Sequence, residues 1–279
     1  MIQIKFPRQR KPPGIEAGPM NDFAQRLYIS TIAQDCRSQA LAYGLGLEMA
    51  EFCTASNLDQ DYPQRRAKAL VQMAGIDRFW FHAPFAELCP AAIDPKVRQV
   101  TMERYRQAVA AAQSLGICRL VIHSGYIPWV YFPQWFVPQS VRFWQEFLQD
   151  MPGELTIALE NVMDPGPDML VDIVGQVNDP RLGLCLDLGH ANTTLSRYPP
   201  QDWIGPMLPW LRHVHLHNNH GSQDTHQPLG EGTIPMARLL EELIPQAVTF
   251  TIENLCCGPS LDWLCRQGFL PGRKENPHD

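Results

Sequence analysis

Residues 155–190 read LTIALENVMDPGPDMLVDIVGQVNDPRLGLCLDLGH, and this stretch decides the fold. It contains two apolar runs, LTIALEN (155–161) and LGLCLDLGH (182–190), that are typical of buried strands. Between them, PDMLVDIVGQV (167–177) carries apolar residues at helical spacing. A strand, a helix and a second strand in this order predict a βαβ unit of a parallel sheet.

The same alternation of apolar runs and amphipathic stretches recurs along the chain from about residue 45. The strand candidates are IQIKF (2–6), GLEMAEF (46–52), RFWFHAP (78–84), RLVIHSG (119–125), LTIALEN (155–161), LGLCLDLGH (182–190), HVHLHNN (213–219) and VTFTIEN (248–254). The helix candidates span residues 24–44, 63–75, 95–116, 138–150, 167–177, 201–211, 234–244 and 259–269. Eight strands, each followed by a helix, predict an α/β fold, a single (β/α)8 TIM barrel over residues 1–279. Because the GxGxxG and GxxxxGKS/T loops of doubly wound sheets do not occur, the barrel is favoured.

Composition and charge limit the classes of function. With 279 residues, 45% of them hydrophobic, the chain can bury a large core. Its net charge of −6 supplies no positive field for phosphates, which argues against a nucleic-acid partner and favours a small-molecule substrate. No apolar run is long enough for a membrane span, and MIQIKFPRQRKPPG (1–14) lacks the apolar segment of a signal peptide, so we expect a cytoplasmic protein. The eight cysteines form no CxxC pair and are expected to be reduced core residues, and the oligomeric state stays open.

Histidines and carboxylates stand at the ends of the strand candidates from the third to the eighth. They are His82, His123, Glu160, Asp187, His190, His215 and Glu253. In the loop after the seventh strand, DTHQPLGEG (224–232) adds Asp224 and His226, two residues apart. Any one of these residues alone would be explained as a hydrogen-bonded structural group. Since the strand ends of a barrel meet at one mouth, the whole set predicts a single site there.

Such a site needs a cation. Four carboxylates, those of Glu160, Asp187, Asp224 and Glu253, would repel one another in a partly desolvated cavity. A divalent metal relieves this repulsion, and mixed imidazole and carboxylate ligands favour Zn²⁺, with Mn²⁺ or Fe²⁺ as alternatives, over Ca²⁺. We therefore predict a metal site built from all nine residues.

The motifs around these residues resemble a known family. They are HAP at His82, HSG at His123, LEN at Glu160, LDLGH at Asp187 and His190, VHL at His215, DTHQPLGEG at Asp224 and His226, and IEN at Glu253. With them the chain resembles the xylose isomerase-like TIM-barrel superfamily (AP endonuclease family 2), most closely its endonuclease IV-like branch.

The resemblance implies up to three metal ions. The first would be held by His82, His123 and Glu160, and Glu160 would bridge to a second. That second ion would take Asp187, His215 and Glu253, and the third would take His190, Asp224 and His226. Sugar isomerases and epimerases of the superfamily typically keep only the middle position.

Other residues are candidates for contacts around the site. His217 is a candidate substrate contact, and His213 is expected inside the barrel. The aromatic stretch YIPWVYFPQWF (126–136), through Trp129 and Trp135, could contact a flat substrate or pack on the adjacent helix. Two asparagines that each follow a candidate ligand, Asn161 and Asn254, are expected to hydrogen-bond near the ligands rather than coordinate.

Several functions fit this set of residues. The first is a hydrolase that uses two or three metals on a small phosphorylated, glycosidic, acyl or amide substrate. There Glu160 would bridge, Glu253 or Asp187 would orient the water, and the third ion would stabilise the leaving side. The alternative is a sugar or sugar-phosphate isomerase or epimerase with a single divalent metal, in which Glu160 and Glu253 move protons. An abasic-site DNA endonuclease, a corrinoid-type hydrolase and a non-catalytic metal-binding barrel are less favoured.

Overall fold

The computed structural model describes residues 22–272, in which eight parallel strands close into a barrel in sequence order. The strands are β1 (Leu27–Ser30), β2 (Gly46–Met49), β3 (Phe79–His82), β4 (Arg119–His123), β5 (Thr156–Glu160), β6 (Leu182–Asp187), β7 (Leu211–Leu216) and β8 (Thr249–Ile252). The predicted (β/α)8 TIM barrel is confirmed. That it forms one domain over residues 1–279 stays a prediction.

Helices alternate with the strands around the outside of the barrel. They are α1 (Phe23–Arg26), α2 (Cys36–Tyr43), α3 (Tyr62–Met73), α4 (Pro95–Ser114), α5 (Pro133–Gln149), α6 (Asp168–Val177), α7 (Pro200–Met207), α8 (Met236–Leu243) and α9 (Gly258–Arg266). The longest, α4, begins at a proline preceded by Asp94, whose side chain accepts a hydrogen bond from the Lys96 N–H at 2.8 Å. Its chain then turns away at Gly116, where φ is +74°.

The first strand differs from its prediction. The candidate IQIKF (2–6) lies outside the described residues, and the helix predicted over 24–44 is wrong, because β1 interrupts it between α1 and α2. All four residues of β1 are buried, and the strand pairs with both β2 and β8. Without it the barrel would not close, so pairing on both sides overrides the helical pattern of the flanking residues.

The other helix candidates are found with shifted ends. The helix predicted over 138–150 begins earlier, at Pro133, and tolerates Pro138 within it. The helix predicted over 201–211 ends at Met207, because Leu211 already belongs to β7. No helix among residues 22–272 is long and apolar enough to cross a membrane.

The cysteines follow their prediction only in part. All eight thiols are free. Four of them, including Cys185 in the barrel, are buried, whereas Cys118 and Cys256 are exposed. The expectation that the cysteines are core residues therefore fails at these two positions.

Inward side chains fill the barrel in layers. An apolar layer consists of Tyr28, Trp80, Val121, Ala158 and Cys185. Because strand side chains alternate, a step of two residues along each of these strands keeps the same face. That step leads to Ser30, His82, His123, Glu160 and Asp187. The apolar layer is thus the floor on which a polar layer rests at the carboxyl ends of the strands.

Candidate metal centre

Glu160, the last residue of β5, lies at the centre of the polar layer with its side chain 1% exposed. Its Oε2 lies 3.3 Å from His123 Nε2 and 3.6 Å from His82 Nε2. Register explains the first contact, since His123 on β4 pairs directly with Glu160. We call His82, His123 and Glu160 the inner cluster.

The other oxygen of Glu160 faces a second group. Glu160 Oε1 lies 3.2 Å from Nδ1 of His215, which in turn lies 3.6 Å from both Asp187 Oδ2 and Glu253 Oε2. Asp187 is held by Asn161, whose amide donates to the Asp187 carbonyl at 3.0 Å and accepts from its N–H at 2.8 Å. We call Glu160, Asp187, His215 and Glu253 the central cluster.

A third group stands further out, on the loops after β6 and β7. Asp224 Oδ2 lies 3.0 Å from His226 Nε2 and 3.2 Å from His190 Nε2. His217 completes the group, with its Nδ1 3.5 Å from Asp224 Oδ1. The ligand atoms of these four residues all lie within 4.8 Å of one another. We call His190, His217, Asp224 and His226 the outer cluster.

The carboxylates of the central cluster carry unequal charge. Burial raises the pKa of Glu160, but the charge of His215 and hydrogen bonds from His190 and His215 outweigh it and hold this pKa well below its usual range. Asp187 behaves in the same way: burial opposes ionisation, and nearby histidines reverse the effect. At Glu253 burial wins and the pKa is raised.

The pKa values of the two histidines of the inner cluster are shifted in opposite directions. Burial lowers the pKa of His82, but the nearby negative charge of Glu160 outweighs it and raises this pKa to about 9. For His123 burial prevails and lowers the pKa to about 3. One imidazole is therefore ready to bind a cation as a neutral ligand, and the other must first lose a proton.

The imidazole nitrogens and carboxylate oxygens of the three clusters are suitable ligands for divalent metal ions. Glu160 Oε2 and His217 Nδ1 are buried and have no hydrogen-bond partner among the described residues. Imidazole nitrogens and carboxylate oxygens are the ligands that zinc prefers. Because a buried acceptor without a donor is costly, a cation beside each of these two atoms would stabilise its arrangement.

Sequence reasoning missed Glu48, the buried glutamate of β2. Its Oε1 lies 3.1 Å from His215 Nε2, and its Oε2 lies 3.0 Å from His213 Nε2 and 2.7 Å from Thr251 Oγ1. His213 is buried inside the barrel, which confirms its expected position. A carboxylate within an apolar strand run was the available signal, since such a group is buried only with partners.

Asp164, on the loop after β5, was missed as well. It is buried and accepts hydrogen bonds at Oδ2 from Ser124 Oγ at 2.7 Å and from the Val162 N–H at 3.1 Å. Burial raises its pKa to about 6. Unlike the carboxylates of the central cluster, Asp164 makes its hydrogen bonds to a hydroxyl and a backbone N–H rather than to a histidine.

The candidate substrate contacts are spread out. Trp129 is 87% exposed, and Trp135 is 39% exposed with its indole N–H donating to the Ala91 carbonyl at 2.9 Å. Tyr131 and Phe136 of the same stretch are buried in the core, so for them the packing alternative is the correct one. His217 is fully buried, a position that favours contact with the clusters over contact with a substrate.

The sequence matches a family of known fold. Residues 40–253 match the family described as xylose isomerase-like TIM barrel. This match covers more than half of the chain, so the chain belongs to that family, and the superfamily inferred from its motifs is confirmed. Its placement in the endonuclease IV-like branch stays a prediction.

Sequence similarity to an individual relative covers only part of this chain. The uncharacterized protein MJ1311 of Methanocaldococcus jannaschii is 32% identical over 184 residues, which cover 62% of this chain and 63% of that protein. The chain therefore spans less than two thirds of the length of this relative.

Solved structures that share the fold include two that are similar over most of this chain. A D-tagatose 3-epimerase-like protein is 24% identical, with a TM-score of 0.70, over 88% of this chain and 96% of that chain. The TTHB071 protein from Thermus thermophilus, soaked with zinc chloride, is 24% identical, with a TM-score of 0.69, over 89% and 100%. At these identities the likeness to the solved structures shows the fold alone.

Proposed function

We propose that the chain is a metal-dependent hydrolase that works in the mouth of the barrel with two or three divalent ions, zinc first among them. The observation that carries this proposal is the position of Glu160. Its Oε2 faces His82 and His123, whereas its Oε1 faces His215. A carboxylate that offers one oxygen to each of two neighbouring clusters is suited to bridge two ions.

Bound divalent ions would lower the pKa of a bound water and neutralise charge on the oxygens of an ester, phosphoester or amide. The chain's own residues would orient that water. The Glu253 side chain is 9% exposed, against 1% for Glu160 and 0% for Asp187, so it is the central carboxylate that a solvent molecule can reach. We assign to Glu253 the orientation of the attacking water and the acceptance of its proton. Asp187, fixed by Asn161, would hold the arrangement rigid.

Isomerisation or epimerisation of a sugar or sugar phosphate is the second candidate. It would use a single ion in the central cluster, with Glu160 and Glu253 exchanging protons with the substrate. The comparisons favour this alternative over hydrolysis, since one similar structure is named as a D-tagatose 3-epimerase-like protein. The outer cluster favours a protein with more than one ion, because a single ion in the central cluster leaves His190, Asp224 and His226 without a ligand to bind.

Apolar side chains on the loops after β3, β4, β5 and β8 bear on the substrate. They are between 40% and 87% exposed and comprise Phe85, Ile127, Trp129, Phe132, Met163 and Leu255. Phe85 stacks on His123 with ring centroids 4.3 Å apart, which joins this apolar rim to the inner cluster. Exposed apolar groups around a polar site favour a substrate with a broad apolar face over a small free sugar. Among the less favoured functions, a corrinoid-type hydrolase fits this rim better than a DNA endonuclease does.

Metal content tests the proposal. We expect the purified protein to bind about two or three equivalents of zinc, manganese or iron, as measured by elemental analysis after equilibrium dialysis. The double variant Asp224→Ala with His226→Ala should lose one equivalent, whereas Glu231→Ala, an exposed acid of the same loop, should lose none. The rim directs the choice of test substrates toward esters and amides of flat, apolar groups.

The contrary result is a protein that binds a single equivalent of metal, which the double variant leaves in place. The proposal of hydrolysis by clustered ions would then be wrong. Turnover of a sugar by such a single-ion protein would then establish the epimerase alternative.

A further inference from the structure

His217 is oriented by a neighbouring carboxylate. It directly follows β7, its ring is fully buried, and its Nε2 lies 3.0 Å from each oxygen of Asp187. An ionised carboxylate only accepts hydrogen bonds, so Nε2 carries the proton and donates it. Nδ1 is then left with a lone pair, because a neutral imidazole has one donor and one acceptor nitrogen.

That lone pair has no hydrogen to accept. Among the described residues Nδ1 has no hydrogen-bond partner, and it faces Asp224 Oδ1, another acceptor, at 3.5 Å. Two acceptors that face each other in a buried place are unfavourable. A cation between His217 and Asp224 would satisfy both.

The other two histidines of the outer cluster are oriented in the same way. His190 Nδ1 donates to the Asn161 carbonyl at 2.9 Å, and His226 Nδ1 donates to the Glu253 carbonyl at 2.8 Å. With Nδ1 of both rings donating to a carbonyl, Nε2 is the nitrogen placed to bind a cation, and in both rings it faces the carboxylate of Asp224. Three imidazole nitrogens thus converge on one carboxylate, and each ring is fixed from behind by a protein oxygen.

The local backbone makes room for the third ring. A Cβ added at Gly189 would overlap the ring of His217. The φ of Gly189 is −70°, which any residue adopts, so the close approach of His217 explains the glycine. His217 also stacks on His226, with ring centroids 4.0 Å apart and an interplanar angle of 10°. Neutral rings can stack in this way, whereas two imidazolium rings would repel each other.

We infer that His217 is a fourth protein ligand of the outer cation, together with His190, Asp224 and His226. Four protein ligands fill the tetrahedral shell that zinc adopts in closed sites. The outer ion would then hold the loop after β7 and, through His217, fix the carboxylate of Asp187. The inference rests on the metal centre of the proposed function. With four protein ligands on the outer ion, the coordination positions left open to water or substrate would lie in the inner and central clusters.

Two substitutions separate the ligand role from the hydrogen bond to Asp187. A glutamine amide nitrogen reaches the position of histidine Nε2, so His217→Gln keeps a donor for Asp187 and removes the Nδ1 ligand. An asparagine side chain reaches the position of Nδ1, so His217→Asn keeps an oxygen ligand and loses the contact with Asp187. His220→Gln, at an exposed histidine of the same loop, is the control.

The readouts are zinc affinity, by competition with a chromophoric chelator, and the visible spectrum of the cobalt-loaded protein. We expect His217→Gln to bind one of its ions at least about 10- to 100-fold more weakly and to lose the strong absorption of four-coordinate cobalt. His217→Asn should retain that ion with a smaller loss, and His220→Gln should match the unmodified protein.

An unchanged affinity and an unchanged cobalt spectrum in His217→Gln would overturn the inference, because His217 would then serve Asp187 alone. That result leaves the proposed function intact as long as the unmodified protein binds more than one equivalent. An unmodified protein that binds one equivalent would instead contradict both the inference and the proposed function.

Discussion

The central and outer clusters contain similar residues but are built differently. Glu160, Asp187 and His215 lie at strand ends, with side chains no more than 1% exposed. Asp224 and His226 lie on a loop, with side chains 29% and 27% exposed. The barrel's hydrogen bonds fix the first group, whereas local contacts fix the second. The central cluster should therefore keep its geometry without metal, and the outer cluster should depend on its ion.

The loop reaches its conformation through side-chain contacts. His226 adopts a φ of +47°, which is uncommon for a residue with a Cβ. Asn254 Nδ2 donates to the carbonyls of His226 and Gln227 at 2.9 Å, which holds this turn in place. Asn254 therefore acts on the backbone of the loop, as expected of a residue that supports ligands without coordinating.

The largest effect should follow from Glu160→Gln, which removes the charge shared by the inner and central clusters. We expect bound zinc to fall by about two equivalents and hydrolysis to fall by at least about 10³-fold, because the bridging anion is lost. The outer cluster should keep its ion. Elemental analysis and turnover of the test esters measure the two losses.

The matched control is Glu231→Gln, an exposed glutamate that should leave zinc content and turnover unchanged. Full zinc content in Glu160→Gln would show that Glu160 does not bridge, and the distinction between the clusters would fail.

A smaller effect is expected from Glu48→Gln. Glu48 Oε2 accepts a hydrogen bond from His215 Nε2 at 3.3 Å, so Nδ1, which faces Glu160, is the nitrogen of His215 that would give up its proton and bind an ion. The substitution should weaken the central ion by about 10- to 100-fold and leave the outer ion unaffected. Zinc titration with a competing chelator resolves the two affinities.

Glu51→Gln serves as its control, since Glu51 is also buried but contacts Thr31 and Lys68 rather than a histidine. Equal weakening of both ions in Glu48→Gln would mean that Glu48 supports the fold in general, and its assigned role would be wrong.

These two clusters also differ in how far the sequence predicts them. Seven of the nine candidate ligands lie at or just after strand ends, so the closed barrel brings them together, whereas Asp224 and His226 also depend on the conformation of the loop after β7. Glu48 was missed because it lies inside an apolar run. Only the pairing of β2 with its neighbours in the closed barrel shows that its side chain lies beside His215. The short strand β1 was missed because four residues carry little pattern, and their state is decided by pairing with β2 and β8.

The smallest effect concerns Asp164, a buried carboxylate that lacks a histidine partner in its hydrogen bonds. Burial raises its pKa to about 6 from the usual 3.8. The folded protein therefore binds a proton that the unfolded chain releases, so stability falls as pH rises through this interval. Between pH 3.8 and about 6, the free energy of unfolding of Asp164→Asn should therefore fall less than that of the unmodified protein, by up to about 3 kcal/mol.

Urea unfolding at several pH values measures this difference, and Asp77→Asn, at a carboxylate 84% exposed, provides the control. Parallel curves for Asp164→Asn and the unmodified protein would contradict the idea that burial without a histidine partner raises a carboxyl pKa here.

Anomalous diffraction at the zinc edge, from crystals of the zinc-loaded protein, would locate the bound ions. We expect three peaks: one at the inner cluster, one at the central cluster and one among His190, His217, Asp224 and His226. A single peak at the central cluster, with the outer histidines bonded only to water and protein, would contradict a site of clustered ions and support a single-ion enzyme.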